Sequence, residues 1–234
     1  MINRLVYILL IGAGLTACSS VSEVIADAEL VPVVGEIQLT NKIDSLIIPY
    51  RLELSEEMSA VLATSNYDFV KDRPNGALNN WSADALLNFF KDSVTNSQSI
   101  MSLLNTGGLR STINKGDVTL GDIFKLMPFD NEVVLVRLPK ERLNDMSKYI
   151  SISGGEPISG AHYSSGQLLL NEDNGGDTFW VVTSDYLFNG GDKMTFFNEP
   201  IEVIWTSILL RDVFVHAAKE QKNLVYSDEE RIKL

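Results

Sequence analysis

SIMSLLNTGGLRSTINKGDVTLGDIFKLMPF, residues 99–129, combines an apolar run, a glycine turn, an arginine and an aromatic side chain in one segment. The run at 100–104 predicts a short strand, and Gly107 and Gly108 end it in a turn where the backbone can approach a ligand closely. Arg110 follows this turn, and its five fixed N–H donors suit a phosphate, a carboxylate or a pair of sugar hydroxyls. The segment therefore predicts a buried strand with a ligand site at its end.

The second half of this segment predicts a helix followed by a presented aromatic ring. Asp117 or Thr119 can cap the helix, because both side chains accept hydrogen bonds from free amides at a helix start. Pro128 then restricts the backbone, and we expect Phe129 at the start of the next strand. The ring is a candidate surface for stacking a flat ligand.

The rest of the chain predicts a mixture of α and β structure. Ser82 is expected to cap a helix that buries Leu86 and Phe90, and the polar tail after residue 221 is expected to fray. Further helices are predicted at 41–64 with a break at Pro49, at 140–150 and at 207–221, and strands at 67–70, 132–138, 163–170 and 178–184, the last two pairing across the turn at 171–177.

The N-terminal residues predict a cleaved lipoprotein signal. Arg4 precedes a short apolar run, and the box LTAC ends at Cys18, the only cysteine of the 234-residue sequence. The run is too short to span a bilayer, so residues 1–17 are predicted to be a signal peptide and 18–40 a lipidated tether. An ordinary secretory signal or a simple membrane anchor is the alternative. By resemblance to known bacterial sorting preferences, Ser19 and Ser20 favour the outer membrane, on its periplasmic or its surface face.

Charge and composition narrow the possible ligands. The formal net charge is −12, and loss of Arg4 with the signal would make the remaining chain more acidic still. A chain with this overall field is not expected to bind nucleic acid. The hydrophobic content of 45% is enough for one globular domain with a core, predicted at 41–234.

Several motifs, in this order, resemble the C-terminal domain of the bacterial and animal 5'-nucleotidases. The resemblance extends over about residues 43–234 and implies a mixed α/β fold with four layers, α/β/β/α. The matching motifs are NWSADA at 80–85, NTGGLR at 105–110, GDVT at 116–119, MPF at 127–129, SG at 159–160, TSDYLFNGGD at 183–192 and DEERI at 228–232.

The same resemblance implies which residues hold a nucleotide or nucleoside. Phe129 and Tyr186 would stack on the two faces of the base, and Asp192 would accept bonds from ribose hydroxyls, unless it only caps its glycine turn. Tyr186 stands where the family commonly has phenylalanine. The other residues expected at the substrate are Asn105, Gly108, Arg110 and Arg73, although the spacing of Arg73 departs from the family pattern and a solvated loop arginine is the alternative.

The chemistry expected of a complete 5'-nucleotidase has no counterpart in these motifs. The family hydrolyses its substrates with a separate metallophosphoesterase domain, whereas His162 and His216 are the only histidines here and fall in no metal-ligand motif. We therefore expect no hydrolysis from this chain alone and no cofactor on it. The chain is predicted to be the substrate-recognition half of a split 5'-nucleotidase, with divalent metals on a partner metallophosphoesterase. A free-standing nucleoside-binding module for uptake, or a scaffold that has lost its ligand, are the alternatives.

Overall fold

The computed structural model describes residues 41–94 and 99–234. The predicted signal peptide, the lipid-attachment residue Cys18 and the tether lie outside the described residues. The chain divides into two compact units, 1–44 and 45–234, and nearly all described residues belong to the second. No helix among the described residues is long and apolar enough to cross a membrane.

Helices and strands alternate irregularly along the described chain. The helices are α1 (Asn41–Met58), α2 (Ala77–Phe90), α3 (Leu120–Leu126), α4 (Arg142–Ser153), α5 (Asp185–Phe188) and α6 (Leu210–Gln221). The strands are β1 (Val61–Ser65), β2 (Ser99–Leu103), β3 (Gly116–Thr119), β4 (Glu132–Pro139), β5 (Ile158–Ser159), β6 (Ala161–Ser164), β7 (Gln167–Leu170), β8 (Thr178–Ser184) and β9 (Glu202–Leu209).

A five-stranded mixed sheet forms the centre of the second unit. Its strand order is β5-β2-β8-β4-β9, in which β2 and β8 run parallel and every other pair is antiparallel. The inner strands β4 and β8 are buried along most of their length, as expected for apolar strands covered on both faces. Because β2 and β8 are parallel neighbours, the turns that follow these two strands lie at the same edge of the sheet.

One face of this sheet packs against two helices. Leu135 of β4 and Val182 of β8 lie in one apolar core with Leu86 of α2 and Phe214 of α6, all fully or almost fully buried. Because side chains alternate along a strand, the residues next to these in β4 and β8 point to the other face of the sheet. The helices α2 and α6 therefore cover one side of the sheet.

The other face carries a second core under the hairpin β6–β7 and helix α4. Val134 and Val181 pack there with Met146 of α4 and Leu168 of β7. Helix α4 also contacts the hairpin directly, since the hydroxyl of Ser147 accepts a hydrogen bond of 2.8 Å from the amide of Leu168. Helices α2 and α6 therefore cover one face of the sheet, and the hairpin β6–β7 with helix α4 covers the other.

The beginning of the described chain differs from the sequence-based expectation. Helix α1 continues through Pro49, and the first strand is β1 at Val61–Ser65, whereas the predicted strand at 67–70 is irregular apart from a bridge between Phe69 and Ile113. β1 forms a strand because β3 supplies its antiparallel partner, which local periodicity does not reveal.

Helix α2 also begins earlier than predicted. Gly76 is its N-cap and Ala77 its first residue, and Ser82 lies within the helix, where its hydroxyl donates to the carbonyl of Asn79. The prediction that Ser82 caps the helix was therefore wrong. Two buried asparagines, Asn79 and Asn80, mask the apolar pattern of the first turn.

The predicted pairing of 163–170 with 178–184 was wrong. A tight turn at Ser165 and Gly166, both with positive φ, folds β6 back onto β7 instead. Strand β8 pairs with β2 and β4. The backbone conformation at this two-residue turn decides the pairing, whereas the sequence analysis placed a turn only at 171–177.

The C-terminal tail is docked, contrary to the prediction that it frays. Ile232 is 2% exposed, and the backbone of Arg231 and Lys233 bonds to that of Tyr163 in β6. The guanidinium of Arg231 binds both carboxylate oxygens of Asp84 at 2.8 Å. Strand β9, which precedes helix α6, was also missed, because its side chains are mostly exposed at the sheet edge. Helix α6 begins at Leu210 rather than at 207.

Candidate ligand-binding cavity

The first wall of the cavity is the glycine turn at the end of β2. Residues Thr106–Gly108 form a single 3₁₀ turn, closed by a hydrogen bond of 3.0 Å from the amide of Gly108 to the carbonyl of Asn105. A Cβ atom at position 108 would lie 2.6 Å from Oδ1 of Asn105. Glycine is therefore needed to leave the Asn105 side chain in its place.

The second wall is the bend that carries Phe129. Helix α3 begins with a capping box between Thr119 and Asp122, which confirms one of the two predicted caps. Phe129 lies in the bend before β4 rather than at the start of that strand, and its ring is 42% exposed. Arg211 of helix α6 stabilises this bend, since its Nη2 donates to Asp130 at 2.7 Å.

The third wall is the turn that follows β8. Ser184 caps the short helix α5 by accepting from the amide of Leu187, and the chain then turns through Gly190 at φ 88° and Asp192 at φ 51°. The ring of Tyr186 lies against this turn, since a Cβ at Gly191 would be 2.5 Å from Cε1 of Tyr186. Tyr186 is nevertheless 46% exposed, so a large part of the residue is accessible from the cavity side or from solvent.

Asp192 joins the first and third walls. Its Oδ1 accepts a hydrogen bond of 2.9 Å from the Tyr186 hydroxyl, and its Oδ2 accepts one of 2.6 Å from Nδ2 of Asn105. Its backbone carbonyl accepts from the hydroxyl of Tyr149 in α4 at 3.1 Å. Asp192 is thus a structural link as well as an open acceptor, because each carboxylate oxygen can take a second bond.

Two tyrosine hydroxyls that donate to Asp192, one to its carboxylate and one to its backbone carbonyl, are held in their neutral form. The hydrogen bond to Asp192, followed by its negative charge, raises the pKa of Tyr186. Burial, followed by the charges of Glu156 and Asp192, raises the pKa of Tyr149 to about 12. Both groups therefore remain donors over the whole physiological pH range.

Arg110 extends over the same space. Its Nη1 donates to the carbonyl of Gly107 at 3.2 Å, which engages one N–H of the guanidinium. The central carbon of the guanidinium lies 6.0 Å from the centroid of the Phe129 ring. A cation and an aromatic surface therefore face one cavity.

These walls enclose an open cavity of about 440 Å³, within the size range of small-molecule sites. Six of the seven substrate residues predicted from the sequence line it, although their role in binding stays a prediction. The described lining residues are Asn105, Gly107, Gly108, Arg110, Phe129, Asn131, Tyr186 and Asp192.

Arg73 is not among the described lining residues. Its Nη2 binds Oε1 of Glu156 at 2.6 Å, and its Nη1 donates to the carbonyl of Ser153 at 2.6 Å. These bonds hold its guanidinium against the loop after α4. Its contact with a ligand stays a prediction that the geometry of this structure does not favour.

Sequence reasoning missed three residues around the cavity. Asn131, two positions after Phe129, could have been found as a polar residue between the MPF motif and the strand. Tyr149 and Glu156 could not, because they reach the cavity region only through contacts between distant segments.

The described residues contain no group of three or more side chains suited to hold a metal ion. His162 bonds through Nδ1 to Asn171 at 2.8 Å, and His216 packs edge-on against Phe89 with ring centroids 5.0 Å apart. Both histidines have neighbours that account for them, and neither lines the cavity.

Fold and cavity define the class as a mixed α/β domain with an aromatic and polar cavity built from three turns. Residues 60–156 match the family model described as 5'-nucleotidase, C-terminal domain. This match confirms the resemblance over residues 60–156, and the solved structures show the mixed α/β fold expected from it.

Individual proteins show the same resemblance. A trifunctional nucleotide phosphoesterase protein of Bacillus subtilis is 30% identical over 145 residues, which cover 52% of this chain and 10% of that protein. A 5'-nucleotidase of Vibrio cholerae is 22% identical over 142 residues, 61% of this chain and 25% of that protein. The chain thus spans a quarter or less of these two relatives.

Solved structures support the fold. A 5'-nucleotidase precursor of Thermus thermophilus superposes with a TM-score of 0.66 at 23% identity, covering 81% of this chain and 42% of that one. The NAD nucleotidase of Haemophilus influenzae gives a TM-score of 0.61 at 17% identity, with 82% and 41% covered.

Proposed function

We propose that this protein binds a nucleotide or nucleoside in the cavity and serves as the substrate-recognition half of a split 5'-nucleotidase. The observation that carries the proposal is the arrangement of two half-exposed aromatic rings, Phe129 and Tyr186, on a cavity that also contains a guanidinium and a carboxylate. The names of the matched relatives, a nucleotide phosphoesterase and a 5'-nucleotidase, support the choice of ligand.

Each part of a nucleotide finds a suitable group in the cavity. A flat base between two aromatic rings gains about 1 to 3 kcal/mol per stacking contact with little preference among bases. Asp192 offers acceptors to ribose hydroxyls, while Asn105 and Arg110 offer donors to ribose oxygens and phosphate. The ligand is therefore expected to be held by its base and sugar, with the phosphate near Arg110.

Hydrolysis in this proposal belongs to a partner. Two metals that activate water and stabilise an in-line displacement cannot be replaced by an arginine and two rings. A separate metallophosphoesterase would supply these divalent metals and act on the phosphate of the bound nucleotide. The chain itself would contribute recognition to nucleotide catabolism.

Lipidation at Cys18 is part of the same proposal. The thioether-linked lipid would hold the protein at the outer membrane, and 18–40 would tether the domain to it. The mass of the protein extracted from the membrane fraction should correspond to a chain that begins at Cys18 and carries an added lipid, whereas Cys18→Ser should keep residues 1–17 and carry no lipid. A wild-type protein without the lipid mass would contradict the lipid anchor.

Calorimetric titration with adenosine and AMP tests the binding function. We expect saturable heat for the purified protein, and at least about a tenfold loss of affinity in both Phe129→Ala and Tyr186→Ala, because each removes a stacking surface. Tyr67→Ala is the matched control: Tyr67 is also exposed and packs on Tyr226 at 4.7 Å, but it lies outside the cavity lining.

Two outcomes would count against the proposal. Equal affinity of wild type and both cavity variants would show that the rings hold no base. Absence of heat from the wild type, both alone and after addition of a metallophosphoesterase, which this proposal expects to be encoded by a neighbouring gene, would leave a scaffold without a ligand. Strong binding with no effect of that phosphoesterase would instead favour the free-standing binding module.

A further inference from the structure

Glu156 carries a buried charge that the cavity itself does not use. The residue is 2% exposed and lies in the loop between α4 and β5. The loop passes close to the segment of Arg73, because a Cβ at Gly155, with φ 107°, would be 2.8 Å from Cα of Pro74. A buried carboxylate is strongly unfavourable unless it is paired and hydrogen-bonded, so the partners of Glu156 determine whether it can stay buried.

Each oxygen of this carboxylate has a different partner. Oε1 binds Nη2 of Arg73 at 2.6 Å, and Oε2 accepts a hydrogen bond of 2.7 Å from the backbone amide of Thr106. Thr106 is the first residue of the glycine turn. The carboxylate therefore connects a compensating cation on one side with the cavity wall on the other.

Thr106 and the chain just before it are held by further hydrogen bonds. Nδ2 of Asn79 donates to the Thr106 hydroxyl at 3.3 Å, and two residues before Thr106 the amide of Leu104 donates to the carbonyl of Pro157 at 3.0 Å. Thr106 itself is almost completely buried, while its neighbours Asn105 and Gly107 line the cavity. A displacement of the Thr106 amide would therefore move both lining residues.

We propose that Glu156 is a positioning residue for the ligand cavity, which holds the glycine turn in place through the amide of Thr106. Hydrogen bonds to a carboxylate are about twice as strong as bonds between neutral groups, and Arg73 places a compensating positive charge beside this carboxylate. Glu156 acts without touching the ligand. This inference rests on the proposed function, because it concerns the affinity of the same cavity.

Glu156→Gln is the variant that tests this inference. Glutamine has the same shape, but its amide cannot accept from Thr106 and from Arg73 with two equivalent anionic oxygens. We expect an affinity for AMP that is about tenfold lower in calorimetry on the purified full-length protein, at a temperature where the variant is folded. We also expect the amide proton of Thr106 to move upfield in a proton–nitrogen correlation spectrum, since the bond to a carboxylate is lost.

Asp84→Asn is the matched control for a general loss of stability. Asp84 also pairs with an arginine, Arg231, but its other partner is the hydroxyl of Ser159, and the described cavity lining does not include it. This variant should lower the melting temperature while leaving the affinity for AMP and the Thr106 amide unchanged. The comparison separates positioning of the glycine turn from destabilisation of the fold.

Three results would overturn the inference. They are an unchanged Thr106 amide in Glu156→Gln, an altered amide with unchanged affinity, and an equal loss of affinity in Glu156→Gln and Asp84→Asn. If the wild type itself does not bind AMP or adenosine, the proposed function fails, and the Thr106 amide alone decides whether Glu156 holds the turn.

Discussion

Replacement of Arg231 by methionine should destabilise the domain, because this arginine holds the C-terminal tail to helix α2. Its guanidinium forms two bonds of 2.8 Å to the carboxylate of Asp84 and one of 2.9 Å to the carbonyl of Ile158. The next residue, Ile232, is buried, and its amide donates to Asn75 at 2.9 Å. One side chain thus secures contacts between segments that are 147 residues apart in sequence.

The size of the effect follows from the exposure of the pair. The side chain of Arg231 is 10% exposed and that of Asp84 is 31% exposed. Breaking a fully buried ion pair costs about 3 to 5 kcal/mol, and the solvent reached by Asp84 reduces this to about 2 to 3 kcal/mol. In a domain of this size the melting temperature should then fall by about 4 to 12 °C.

Differential scanning calorimetry of wild type, Arg231→Met, Asp84→Asn and the double variant measures this effect. Methionine keeps the aliphatic length of arginine, so packing is largely preserved. We expect the double variant to be less destabilised than the sum of the single variants, since each single variant leaves one group without its partner. A fall of less than about 2 °C in Arg231→Met, or strict additivity, would refute the view that the tail is held by this pair.

Two further predictions concern a titration and a backbone conformation. Because the pKa of Tyr149 is raised from 10.0 to about 12, its neutral hydroxyl stabilises the fold below pH 10, and this contribution is lost as the pH rises towards 12. An ultraviolet titration of the wild type should show one tyrosine that ionises late, and Tyr149→Phe should remove it. Identical titration curves of the two proteins would contradict the burial of this hydroxyl. Gly160→Ala should lower the melting temperature clearly more than Gly166→Ala. Both glycines have positive φ, but only at Gly160 would a Cβ meet backbone, 2.7 Å from the carbonyl of Ile100. Equal shifts in scanning calorimetry would show that the backbone conformation alone, without the close approach, determines the loss of stability.

Local signals predicted the cavity walls well. The glycine turn and the cap at Thr119 each depend on residues within a few positions of one another, so their sequence carries the necessary information, whereas Phe129 was expected at the start of β4 and lies in the bend before it. Elements that need a distant partner were harder to predict. Strand β1 depends on β3, and strand β9 lies at a sheet edge without a regular apolar pattern.

The side chains that support the walls show the same division. Phe129 and Tyr186 belong to recognisable motifs, whereas Glu156 follows a glycine pair in a loop that has no chemical signal of its own. The role proposed for Glu156 can be inferred only when the loop is seen beside Thr106 and Arg73. Arg73 likewise carried a family expectation that its observed partners do not favour.

The sequence by itself indicated the resemblance to the 5'-nucleotidase C-terminal domain, the mixed α/β class and the residues of three turns, because motifs and turn chemistry are local properties of the chain. Only the tertiary structure decided that these turns meet. Asn105 and Asp192 are 87 residues apart, and they bond because β2 and β8 lie side by side in one sheet. Strand order depends on which apolar faces bury each other best, and this is a property of the whole chain rather than of any segment.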